Sequence, residues 1–201
     1  MGLEASFQLM IERLNYNRKF PKYQFERSLD AFLSLFIEDY LGEIYQSEVI
    51  YVAAEFPLKK QESHQSTNVD YLLLRGGLSP SWIFAELKTD KNSLRDKQFA
   101  TLNDLKNKPF RPLFEDIKLI RNQSKRKDKY DYLISNIRDK CHSEKAFDFP
   151  IHPICFTISD LPPNIKRAFP AVEWILLSQL DEQLSNTRHP EAWRFVRTLL
   201  Q

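Results

Sequence analysis

A chain of 201 residues, 42% hydrophobic and 13% aromatic, can bury a sizeable core and suits one domain spanning residues 1–201. No apolar run approaches the roughly 20 residues of a membrane span, and residues 1–24 lack a signal peptide's apolar centre, so a cytoplasmic protein with no membrane partner is expected. Two cysteines, Cys141 and Cys155, are too few for a disulfide framework, and a net charge of +2 is too small for nucleic-acid binding by bulk electrostatics.

Leu3, Phe7, Met10, Ile11 and Leu14 recur at helical spacing and predict a first helix over 3–15, broken before Pro21. A second helix is expected over 22–41, with Phe25, Leu29, Phe32, Leu33, Phe36, Ile37 and Tyr40 on one face. Glu26 falls at the margin of that stripe, one turn before Asp30, whereas Glu38 is expected on the opposite, polar side. Residues 48–58, rich in β-branched and aromatic side chains, read as a strand followed by a polar loop to Thr67.

Asn68 to Leu74 and Trp82 to Lys88 are two apolar runs joined by a segment holding Gly76, Gly77 and Pro80, the pattern of a β-hairpin. Folded symmetrically about Leu78, the hairpin pairs Leu74 with Trp82 and sets Asp70 opposite Glu86, with Lys88 on the same face. Carboxylates paired across a ladder lie roughly 5 Å apart, and like charges so placed are destabilising. A hard divalent cation, Mg²⁺ or Mn²⁺, between them would offset that cost.

Asp70 followed sixteen residues later by Glu86-Leu87-Lys88 resembles the signature of the PD-(D/E)XK nuclease superfamily. The continuation through Thr89 and Asp90 to Ser93, Arg95 and Gln98 is similar to a bacterial branch of it, although Val69 stands in place of the proline. The resemblance implies an α/β fold, a restriction-endonuclease-like mixed central sheet flanked by helices with an αβββαβ core, extended by N-terminal and inserted helices. It implies a deoxyribonuclease in which Asp70, Glu86, the Leu87 carbonyl and Glu26, directly or through water, hold one or two Mg²⁺ or Mn²⁺ ions. Lys88 would orient the attacking water, and Gln98 would touch Lys88, metal-bound water or phosphate.

Residues 92–105 predict a helix capped by Ser93, with Gln98 a polar residue on an apolar stripe. Two short helices are expected within 106–145. From Lys106 to Lys129 nine Lys or Arg face three acids, a net +6 within a chain of net +2, so the surface charge is local. Lys125, Arg126 and Lys127 are the expected DNA phosphate contacts, with Arg95. Strands over 151–159 and 172–177 and a closing helix near 190–200 complete the chain. Cys141, His142, His152 and Cys155 lack the paired spacing of a zinc site, and Gly76-Gly77 is a turn without a phosphate-loop fingerprint.

Beside a purely structural protein, which would have no metal affinity, two function classes remain. One is the nuclease, for which a small domain is expected to draw specificity from a homodimer or a protein partner. The other is a catalytically silent module of the same fold that binds nucleic acid or joins a complex.

Overall fold

The computed structural model describes residues 3–17, 25–59, 66–89, 96–158, 160–177, 190, 192–194 and 196. Three helices come first: α1 (Leu3–Asn17), α2 (Phe25–Leu33) and α3 (Ile37–Tyr45). A meander follows, β1 (Val49–Lys59), β2 (Ser66–Arg75) and β3 (Ser81–Lys88). Then come α4 (Asp96–Leu105), α5 (Arg111–Gln123), α6 (Lys127–Lys140) and a 3-10 turn (Glu144–Asp148). The described part continues through β4 (Ile151–Thr157), α7 (Pro163–Ala168) and β5 (Glu173–Leu176).

The five strands form one mixed sheet in chain order. β1, β2 and β3 pair antiparallel, while β3, β4 and β5 pair parallel. Parallel neighbours need crossovers, which α4 to α6 provide between β3 and β4 and α7 provides between β4 and β5. All eight residues of β3 are buried, as expected of a central strand covered on both faces. One face packs Leu29, Phe32, Leu33, Phe36 and Ile37 of the N-terminal helices against Tyr71, Leu73, Ile83, Ala85 and Leu87. The other packs Phe99, Leu102, Phe114 and Ile117 of the later helices against Leu72, Leu74, Trp82 and Phe84. There Trp82 stacks on Phe110 at 4.0 Å between centroids and donates its indole N–H to the Ala146 carbonyl at 2.7 Å, so its polar atom is satisfied inside the core.

The hairpin has the expected register, Leu74 opposite Trp82 and Tyr71 opposite Ala85. Gly77 turns it with φ at +77°, and a Cβ there would lie 3.2 Å from that of Ser47. The fold requires glycine at this point.

The expected helix over 22–41 is two helices, not one. Leu35 and Phe36 donate to the carbonyls of Phe32 and Leu33, three residues back, so the chain tightens at Ser34–Phe36 before α3 begins. The extra rotation buries Phe36, Ile37, Tyr40 and Leu41 together and turns Glu38 onto the sheet. There the Glu38 carboxylate accepts the Tyr51 N–H at 2.5 Å, so Glu38 is not on a polar outer face. On the same edge strand Asn136 of α6 donates to the Val52 carbonyl. Both contacts cover backbone groups of an edge that would otherwise be open to strand addition. The α7 helix was not expected: one turn entered through Pro162 and Pro163 is too short to carry a periodic signal. Pro190, 192–194 and Val196 are helical, with Trp193 and Val196 buried in the first core.

Candidate active site at the β2–β3 fork

The site begins with a change of face in β2. Ala54 pairs with Tyr71 and Phe56 with Val69, yet Tyr71 belongs to one core and Phe56 and Val69 to the other. Strict alternation would keep Val69 and Tyr71 on one face. Between them stand Glu55, whose φ of +52° is rare outside glycine, and Asp70. The strands rotate here, and the described β2–β3 ladder ends at Tyr71–Ala85. Asp70 is therefore not a ladder partner of Glu86. Its Oδ2 accepts the backbone N–H of Leu87 at 2.7 Å, so the carboxylate reaches into the gap where the two strands separate.

Glu86 and Lys88, two residues apart on β3, share a face. Lys88 Nζ lies 2.9 Å from Glu86 Oε1, and both side chains are almost wholly buried, 1% exposed for Glu86 and 7% for Lys88. Gln98, on the first described turns of α4, donates its amide to the same Oε1. This resolves the polar residue on an apolar stripe: its partner is the buried acid. Glu86 Oε2 is buried and meets no hydrogen-bond donor among the described residues.

Desolvation is the main force on Glu86 and the charge of Asp70 adds to it, while Lys88 opposes both; the carboxyl is pushed up to about 8. A buried acid beside another acid keeps its proton at neutral pH. The donors present are hard carboxylate oxygens, and an orphaned buried Oε2 is where such a cation would bind, so the residues fit a Mg²⁺ or Mn²⁺ ion. Among the described residues no three His, Cys, Asp or Glu side chains converge as a complete ligand cage.

Two further acids lie at this end of the sheet. Glu55 accepts the Asn68 amide at 2.8 Å. Asp30, half-buried on α2, has an Oδ1 with no hydrogen-bond partner among the described residues; burial raises its carboxyl, Tyr71 partly counters this, and the charge of Glu55 adds to the rise. Tyr71, its hydroxyl at the Asp30 carbonyl, feels the charges of both Asp30 and Asp70. Asp30 lies one turn after Glu26 on the same margin of the apolar stripe, so its position in the pattern did not single it out. Glu26 belongs to α2, but its side chain lies outside the described residues, as do Ser93 and Arg95.

Lys125, Arg126 and Lys127 are exposed at the elbow between α5 and α6, which pack over β1, and so stand apart from the fork. The zinc-like set does not converge. Cys155 is buried in the second core, Cys141 ends α6, and His152 bonds Lys106 at 2.9 Å and Glu173 at 2.5 Å. No described helix is long and apolar enough to cross a membrane. No family model, curated protein or solved structure matches this chain.

Proposed function

We propose that the chain is a metal-dependent nuclease that hydrolyses phosphodiester bonds of DNA on a restriction-endonuclease-like frame. The observation that carries this reading is the buried Glu86 carboxylate, with Oε2 unsatisfied, Asp70 beside it and Lys88 Nζ at 2.9 Å. Burying Glu86 and an ammonium beside the half-buried Asp70 is costly, and the cost is understandable where a cation and a phosphate complete the charge balance. Asp70 and Glu86, with the Leu87 carbonyl and Glu26 directly or through water, would hold one or two Mg²⁺ or Mn²⁺ ions. Such a metal, when bound, polarises a phosphoryl oxygen and lowers the pKa of a coordinated water.

The chain's own residues do the rest. Lys88, held by Glu86, keeps a positive charge where negative charge develops on the phosphate and positions the attacking water. Gln98 fixes the Glu86 rotamer, leaving Oε1 occupied and Oε2 as the ligand atom. Lys125, Arg126 and Lys127, with Arg95, contact backbone phosphates and set the DNA on the surface. A homodimer or protein partner would supply specificity.

Incubation with supercoiled, linear and single-stranded DNA, with and without Mn²⁺, tests the proposal: metal-dependent cleavage lost in Glu86→Gln supports it. The absence of three converging acids among the described residues favours the second reading, a silent module that binds without cutting. That reading predicts DNA retention with no Mn²⁺ heat in calorimetry and no product.

A further inference from the structure

A groove of about 860 Å³ runs between the outer side of β1 and the start of α6. Tyr51, Tyr130 and Tyr132 line it, with Arg126 and Lys129 as its cations and Glu55 and Asp128 as its acids. Tyr132 is 76% exposed, an unusual position for a large ring on a helix that has buried Ile137 at hand. The lining itself balances two cations with two acids, but the elbow around it does not: within 125–129 stand Lys125, Arg126, Lys127 and Lys129 against Asp128 alone. Asp128 meets Arg126 at 3.5 Å with both side chains well exposed, a contact that a phosphate can replace at small cost. The other end of the groove is lined by Glu55 and Asn68, the pair bonded beside Asp70 at the fork.

From these features we infer that the groove is a track for an unpaired nucleic-acid strand, with a base stacked on Tyr132 and phosphates at Arg126 and Lys129, leading the strand toward the β2–β3 fork. The inference deepens the nuclease reading and rests on it for the direction of the track. Exposed rings interleaved with cations suit single strands, because every base offers a face to stack while duplex bases are already stacked on one another. The double helix gains only the cations. An extended peptide added to the β1 edge is the competing occupant, yet it would meet the Glu38 and Asn136 side chains that already bond Tyr51 and Val52.

Fluorescence anisotropy with a labelled oligothymidylate and a duplex of equal length, in metal-free buffer so that no cleavage occurs, tests the track. Tyr132→Ala is expected to weaken oligothymidylate binding roughly tenfold, Tyr132→Phe to restore it, and neither to change duplex binding. Arg126→Ala with Lys129→Ala should lower the salt slope by about 0.7 for each phosphate of the single strand that is no longer neutralised. Because Tyr132 is exposed, a thermal melt equal to wild type is expected for each variant. Equal oligothymidylate affinity in Tyr132→Ala and wild type, or a duplex preferred over the single strand, overturns the proposal. Strand binding that needs Tyr132 without cleavage on adding Mn²⁺ removes the nuclease and keeps the track. Cleavage indifferent to Tyr132 does the reverse.

Discussion

The backbone N–H of Leu87 donates to Oδ2 of Asp70 at 2.7 Å, where a strand carbonyl would otherwise close the hairpin. One carboxylate thus both ends the ladder and faces Glu86. Asp70→Asn keeps an acceptor for that N–H but loses the charge, so it should abolish Mn²⁺ binding while preserving stability. Asp70→Ala should cost about 1–3 kcal/mol more, the penalty of an unpaired buried donor. Denaturant titration of the two variants decides: equal stability would remove the bond from the account.

Glu86 gives a pH dependence. Its folded carboxyl stands at about 8, above the ordinary 4.5, so the folded metal-free protein holds a proton that the unfolded chain has released. The stability this contributes is complete below pH 4.5 and is lost as pH rises through 8. Glu86→Gln should therefore melt with a flatter profile and exceed wild type at the alkaline end. A difference between the two melting curves that does not grow between about pH 5 and pH 9 would contradict the buried charge.

Lys88→Ala should abolish cleavage and leave Mn²⁺ affinity in place, because Lys88 is not a ligand. It should also destabilise the protein by about 1–3 kcal/mol, since the protonated Glu86 carboxyl loses a buried hydrogen-bond partner. Calorimetric Mn²⁺ titration beside the cleavage assay separates these; loss of the metal heat would make Lys88 part of the binding set.

The helix acids divide by what they touch. Glu38→Ala removes the acceptor of the Tyr51 N–H and should cost about 1–2 kcal/mol of stability with turnover unchanged. Glu26→Gln should depress turnover with little change in unfolding. Should Glu38→Gln be the change that stops cleavage, α3 rather than α2 serves the fork.

Changing Lys125, Arg126 and Lys127 to Ala together should weaken duplex binding nearly uniformly across sequences. The slope of log affinity against log salt should flatten by about 0.9 for each duplex phosphate that the variant leaves unneutralised. An unchanged slope would leave the elbow as a solvated turn.

Much of this site was legible before folding. Two apolar runs around Gly76-Gly77 give the register, because a strand shifted by one residue would exchange Trp82 and Phe84 with Ile83 and Ala85 between two cores of different shape. Gln98 was legible as a misfit on an apolar stripe. What escaped was rotation. Apolar doublets at 32/33, 36/37 and 40/41 fit a continuous helix as well as a tightened one, so the turn at Ser34–Phe36 and the new heading of Glu38 left no mark on the pattern. Glu55 at positive φ defeats alternation in the same way, and with it the expectation that Asp70 projects from a face rather than into the gap.

Beyond Tyr71 the described β2 pairs with β1 alone, and a two-stranded ribbon twists more readily than a sheet. The tip that carries Glu55, Asn68 and Lys59 is in mechanical terms a torsion arm, and Asp70 sits at its pivot. Phe56, Leu58 and Val69 seat that arm in the second core, so the spacing between the two carboxylates is tied to how the arm rests on α5.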